Sequence, residues 1–257
     1  MGTPSSKVEF PGSQGAVLGA RLDLPDGGAK AYALFAHCFT CSKDILAAAR
    51  IAGSLAQRGF AVLRFDFTGL GASQGEFANT NFSSNVEDLL CAVQYLRQAH
   101  RAPEVLIGHS LGGAAVLAAA GDVPEAKAVA TLGAPADAEH VVRGFAAQLA
   151  TIESDGEAEV QLAGRRFRIR RQFLEDLRKQ SLGDRIANLR KALIVFHAPQ
   201  DKIVGIENAA SIFSAAKHPK SFVSLDDADH LLSNPREASY VAEVLASWAS
   251  RYITLCD

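Results

Sequence analysis

The 257-residue chain is short of several things, and each shortage excludes a class. It has only four cysteines, Cys38, Cys41, Cys91 and Cys256. That is too few for a disulfide framework at this length, and a reduced, cytoplasmic setting is the default. It has no surplus of either charge: 26 Lys+Arg stand against 28 Asp+Glu, a net charge of −2. A dedicated nucleic-acid binder would carry a basic excess, so no nucleic-acid partner is expected. No apolar run approaches the roughly 18 residues that a membrane helix needs, so no membrane partner is expected. Met1 to Phe10 lack a basic stretch followed by an apolar one, and no signal peptide is expected. Met1-Gly2-Thr3-Pro4-Ser5-Ser6 fits a loose myristoylation pattern but reads as a small-residue tail. Internal repeats and low-complexity linkers are missing too.

What is present is an alternation. With 48% hydrophobic and 21% charged residues, the chain has the composition of a folded domain. Short apolar runs at 31–36, 61–65, 105–107, 128–132, 193–196 and 221–225 read as buried strands. Between them apolar residues recur at helical spacing: Ile45, Ala48, Ala49, Ala52 and Leu55, then Val86, Leu89, Leu90, Val93 and Leu96, then Val241, Val244, Leu245, Trp248 and Tyr252. Ser84 to Glu87 fits a capping box for the second of these helices. The alternation predicts an α/β fold with a mainly parallel sheet and helices on both faces. The first 25 residues, with short runs at 8–10 and 16–24, predict antiparallel edge strands. Residues 1–257 are expected to form one domain.

The rhythm breaks at about 137–189. Glu153, Asp155, Glu157 and Glu159 give way to Arg165, Arg166, Arg168, Arg170 and Arg171. Val160-Gln161-Leu162 and Phe167 to Ile169 alternate with charge across Ala163-Gly164, which predicts a hairpin. Its acidic strand should face its basic strand, a solvated arrangement rather than an anion site. Gln172 to Lys179 reads as a short helix. An insertion at this point is placed to act as a lid, with Phe167 and Phe173 as candidate substrate-binding residues.

Gly108-His109-Ser110-Leu111-Gly112 is a G-x-S-x-G between a strand and a small-residue helix. That context is a nucleophile elbow, in which close packing demands glycines and the serine backbone is strained to expose its Oγ. A serine nucleophile needs a general base, and the base needs an orienting acid. Asp201 follows the strand ending at Phe196, and His230 follows the strand ending near Leu225, so both should share the sheet edge of Ser110. Asp226, Asp227 and Asp229 sit too close to His230 in sequence to reach its Nδ1 with ease, and Asp137 is a reserve acid. The backbone N–H groups of Phe39 and Leu111 are the expected oxyanion donors. His109 is taken as a substrate-binding residue.

His37-Cys38-Phe39-Thr40 resembles the His-Gly-Phe-Thr oxyanion loop of α/β-hydrolase esterases and lipases. Asp66-Phe67-Thr68-Gly69-Leu70-Gly71-Ala72-Ser73 is similar to their Asp-x-x-Gly-x-Gly-x-Ser segment. More narrowly, His-Cys-Phe-Thr-Cys-Ser-Lys-Asp resembles the hydrolase half of proteins that join an α/β hydrolase to an OsmC-like domain. The resemblance implies a serine carboxylesterase on small or medium acyl esters, without cofactor or metal, and either a fusion to an OsmC-like domain in a longer parent chain or a free-standing relative of such a fusion. An amidase or peptidase on the same residues, and a non-catalytic scaffold that binds a ligand or partner, remain open, as does a homodimer. Cys38-x-x-Cys41 also fits a redox motif, or with His37 part of a zinc site, although a fourth ligand is missing. The reading preferred here is two small residues packed under the loop.

Overall fold

The computed structural model describes residues 4–162 and 164–253, so Met1, Gly2, Thr3, Ala163 and Cys256 lie outside the described residues. Ten strands are present among the described residues: β1 Ser5–Pro11, β2 Val17–Asp23, β3 Ala31–Ala36, β4 Phe60–Phe65, β5 Val105–His109, β6 Ala128–Leu132, β7 Glu157–Leu162, β8 Arg165–Arg170, β9 Ala192–His197 and β10 Lys220–Ser224. Eight of them make one sheet in the order β1-β2-β4-β3-β5-β6-β9-β10. From β4 to β10 all neighbours run parallel, and β1 and β2 join antiparallel at one edge. The antiparallel start and the parallel remainder follow from the two sequence patterns: short turn-linked runs, then apolar strands separated by helices.

The helices are α1 Leu46–Ala56, α2 Phe82–Ala99, α3 Leu111–Ala119, α4 Leu149–Asp155, α5 Arg171–Leu177, α6 Leu182–Ala187, α7 Glu207–Ala215 and α8 Pro235–Ala249. Strand side chains alternate between two cores. Ala33, Phe35 and Val62 pack with α1 and α8, whereas Leu34, Ala36 and Leu63 pack with α2, α3 and α7. In α8 the buried stripe is Ala238, Val241, Ala242, Leu245 and Ala249, the spacing of one helix face. Each Val or Leu so buried contributes roughly 1.5–3 kcal/mol.

Two boundaries differ from expectation. Helix α2 starts at Phe82, because Asn81 caps it: Asn81 Oδ1 accepts from the Ser84 N–H at 2.8 Å while Ser84 Oγ accepts from the Asn81 N–H at 2.9 Å. Ser84 is therefore the third residue of the helix and not its cap. The segment between β6 and β9 holds more structure than its sequence announces: a 3-10 stretch at Ala138–Gln148 and helices α4 and α6 join the expected hairpin and α5.

The hairpin pairs Glu157 with Arg170 and Glu159 with Arg168. Exposed ion pairs link Arg166 to Glu159 at 3.4 Å and Arg168 to Glu157 at 3.0 Å. Val160, Phe167 and Ile169 are buried beneath it. The arginines thus answer the glutamates of their own hairpin.

Candidate active site

The parallel strands deliver their following loops to one sheet edge, and the chemistry-bearing residues stand there. Ser110 follows β5 directly, with φ 55° and ψ −125°, a conformation that side chains rarely adopt. It is held by its N–H to the Leu132 carbonyl at 2.8 Å and by the start of α3. The glycines are sterically required. A Cβ on Gly108 would strike the Gly112 carbonyl, and one on Gly112 would strike the Ala36 and His37 carbonyls. Helix α3 therefore begins against the loop that follows β3.

Three predicted residues come together. Ser110 Oγ lies 3.0 Å from His230 Nε2, and His230 Nδ1 lies 2.7 Å from Asp201 Oδ2. Asp201 Oδ1 accepts the Ile203 and Val204 N–H groups at 2.8 and 2.9 Å. Burial opposes ionisation of Asp201, but hydrogen bonds from His230, Val204 and Ile203 outweigh it and hold the carboxyl below its usual range. The rival acids are engaged elsewhere: Asp229 accepts the Ser233 N–H at 2.8 Å, Asp226 accepts Ser224 Oγ at 2.5 Å, and Asp137 caps the 3-10 stretch. Neither the Phe39 nor the Leu111 N–H has a protein acceptor among the described residues. Both remain able to donate to a developing oxyanion.

His109 is turned onto the loop that carries His230. It is 1% exposed, with Nε2 2.7 Å from the His230 carbonyl and its ring 5.1 Å from the His230 ring. Phe167 and Phe173 are buried as well. They are 7% and 2% exposed and join an aromatic cluster in which Phe173 meets Phe39 at 5.6 Å and Phe167 meets Phe77 at 4.8 Å. Cys38 and Cys41 are joined in a disulfide, their Cα atoms 5.3 Å apart, instead of packing as two free thiols. The turn that brings them together is closed by the Cys41 N–H on the Cys38 carbonyl at 3.1 Å. Among the described residues no cluster of three or more His, Cys, Asp or Glu is arranged to hold a metal ion.

A buried charged network beside the loop after β3 was not expected from the sequence. Asp66 is fully buried and accepts Lys43 Nζ at 2.7 Å, the Lys43 N–H at 2.6 Å and the Ala72 N–H at 2.8 Å. Arg64 pairs with Asp23 at 2.7 Å and donates to the Lys43 carbonyl. An arginine inside the apolar strand run Ala61 to Phe65 was a sequence signal that pointed to it. A small cavity of about 10 Å³ lies among Phe39, Phe82, Leu111 and Gly112, room for about one water. A cleft of about 570 Å³ between α2, α3 and α6 is lined by none of Ser110, Asp201 and His230.

Comparison with known proteins agrees with this architecture. The profile of the hydrolase family described as serine aminopeptidase, S33, matches residues 29–170, more than half of the chain. The chain belongs to this α/β-hydrolase family. The esterase domain of a Rhodothermus marinus protein is 53% identical, with a TM-score of 0.79 over 97% of this chain and 99% of that one. Human palmitoyl-protein thioesterase ABHD10, a mitochondrial protein, is 36% identical over 87 residues, which are 34% of this chain and 27% of the human protein. The chain thus matches only about a quarter of that curated relative's length. The structure of mouse α/β hydrolase domain-containing protein 10 superposes with a TM-score of 0.77 at 20% identity, over 96% of this chain and 99% of that one, a likeness of fold alone. Among the described residues no helix is long and apolar enough to cross a membrane.

Proposed function

We propose that the protein is a serine carboxylesterase. The observation that carries this reading is the hydrogen-bonded line Ser110–His230–Asp201, at 3.0 and 2.7 Å, beside two unengaged backbone N–H groups. Ser110 Oγ attacks the ester carbonyl carbon while His230 Nε2 takes its proton. Asp201 holds the Nδ1–H and stabilises the imidazolium. The oxyanion is received by the Phe39 and Leu111 N–H groups, each worth about 3 kcal/mol in the transition state. Collapse expels the alcohol, which takes the proton from His230. Water, deprotonated by the same His230, then releases the acid. Residues 137–189 act as a lid within a single domain: Phe173 on Phe39 couples that segment to the oxyanion loop, and an acyl chain enters by displacing this aromatic contact. The His-Cys-Phe-Thr-Cys loop supports the further reading of a chain that works beside an OsmC-like domain.

The ester reading is supported by the 53% identical esterase domain. A thioester reading is favoured by the ABHD10 relatives, and the same line of residues would serve it. The test is turnover of p-nitrophenyl esters of increasing chain length, beside acyl thioesters and aminoacyl p-nitroanilides, by wild type and Ser110→Ala. Ester turnover is expected to fall by roughly 10⁶-fold in a folded Ser110→Ala protein. A variant retaining a tenth of wild-type turnover overturns the assignment. Cleavage of the anilides alone would move the protein to peptidase chemistry.

A further inference from the structure

Two buried histidines outside the reacting line stand at the ends of strands. His109 closes β5 and His197 closes β9, and they are 1% and 0% exposed. His109 Nε2 lies 2.7 Å from the His230 carbonyl, across 121 positions of sequence. His197 Nε2 lies 2.8 Å from the Val204 carbonyl in the Asp201 loop. A carbonyl only accepts, so each Nε2 carries the hydrogen and each ring is a fixed tautomer. The Nδ1 atom of each ring has no hydrogen-bond partner among the described residues. Both rings are buried, and neither lies on the proposed proton path from Ser110 to Asp201. Each ties a rigid strand to the backbone of a loop that carries one partner of Ser110. His37 differs, since its Nδ1 reaches only the adjacent Cys38 carbonyl.

We infer that His109 and His197 are positioning residues, His109 for the catalytic His230 and His197 for Asp201, each through one Nε2–H···O=C bond to the loop. The inference rests on the reading of Ser110, His230 and Asp201 as the reacting groups. A loop anchored only at its ends would let the His230 ring drift, and a drift near 1 Å can cost about 10²-fold in rate. Charge matters as well as reach. His109 is held neutral, its pKa lowered to about 4, first by burial and then by the charge of His230, against smaller opposing effects from its bond to the His230 carbonyl and from Asp201. His37 also lowers it, from the loop after β3. A neutral donor can sit 5.1 Å from His230 while that ring becomes an imidazolium, where a second cation would oppose the charge. His197 stands 3.8 Å from Asp201 Oδ2, close enough to fix that carboxylate's loop without replacing His230 as its partner.

The experiment compares Leu, Gln and Asn at each position, in the full chain, with p-nitrophenyl acetate as substrate. A Gln amide reaches where Nε2–H stands, and an Asn amide falls short of it. Both His→Leu variants are expected to lose about 10²-fold in kcat with KM nearly unchanged, and both His→Gln variants to recover to within about tenfold of wild type. If the leucine variants do not fold, the Gln and Asn variants at the same position decide. Equal kcat for Gln and Asn, or wild-type kcat in a folded Leu variant, overturns the inference. Ser110→Ala runs beside them: activity surviving there condemns the serine reading itself, whereas its loss with unaltered His109 and His197 variants condemns only the positioning role.

Discussion

Asp66 and Lys43 meet at 2.7 Å with side chains 0% and 7% exposed, whereas Glu157 and Arg168 meet at 3.0 Å with side chains 38% and 59% exposed. The first pair lies beside the loop after β3 at the sheet edge, the second on the hairpin between β6 and β9. The chemistry is alike and the consequences are not. Buried, a charge that loses its partner must be carried without water, so the pair constrains the loop above it. Exposed, either partner falls back on solvent, and the pair constrains little. The sheet-edge loops hold buried ion pairs, whereas the inserted segment packs an apolar side beneath an exposed charged surface. This division of labour fits the proposal that the sheet-edge loops hold the reacting groups and the inserted segment admits substrate.

The comparison breaks first at Asp201. Asp201→Asn is expected to lower kcat by about 10⁴, because the amide favours the wrong imidazole tautomer of His230. Asp229→Asn, whose carboxylate serves Ser233 instead, should stay within about tenfold of wild type. Steady-state rates on one ester settle it, and a reversed order would name Asp229 as the acid. Lys43→Met comes next, with an expected loss of about 3–5 kcal/mol in urea unfolding, since Asp66 is left charged and buried. Adding Asp66→Asn to that variant should restore part of the loss. A double variant as unstable as the single would mean that the pair's charge is not what holds the loop.

How far this was readable in the sequence depends on the range of each interaction. Ser110, Asp201 and His230 were legible because each follows a strand, and parallel strands carry their loops to the same edge. The hairpin was legible because charge and apolar residues alternate on both sides of Gly164. The Arg64–Asp23 pair was not, because its members are 41 positions apart and each looks isolated in its own strand. The contact made by His109 was not legible for a related reason. The elbow pattern fixes where that residue stands in the chain, but not whether its ring turns to the pocket or to the carbonyl of a loop 121 positions on. The Cys38–Cys41 link was obscured by composition, since two cysteines among few read as small packing residues. Helices α4 and α6, at seven and six residues, are too short for a periodic signal.

Phe173 tests the apolar side. It is 2% exposed and touches both Phe39 and Phe145. Phe173→Ala is expected to cost about 3–5 kcal/mol. If the inserted segment also covers the acyl site, the same variant should shift acyl-chain preference toward longer esters. A destabilised protein with an unchanged chain-length profile would make the cluster packing only. Cys38→Ser with Cys41→Ser sits lower. A loop closed over so few residues limits the unfolded chain modestly, about 2 kcal/mol in the loop-entropy account. Esterase activity should persist within about tenfold, since the proposed donor is the Phe39 N–H and not a thiol. A greater loss, matched by dithiothreitol treatment of wild type, would show that the link shapes the oxyanion loop.

The smallest effect is expected at Arg168. Its guanidinium reaches Glu157 at 3.0 Å, but Arg170 reaches the same carboxylate at 3.1 Å. Removing one of two cations from an exposed carboxylate leaves the other in place. Arg168→Gln should therefore cost about 0.2–1 kcal/mol at low ionic strength. The difference should vanish near 1 M salt, where the screening length falls to about 3 Å. Urea unfolding of wild type and variant at both salt concentrations gives the four values needed. A loss above about 2 kcal/mol, or one that salt does not erase, would place the hairpin's charges in the same class as the Lys43–Asp66 pair and remove the distinction between the two regions.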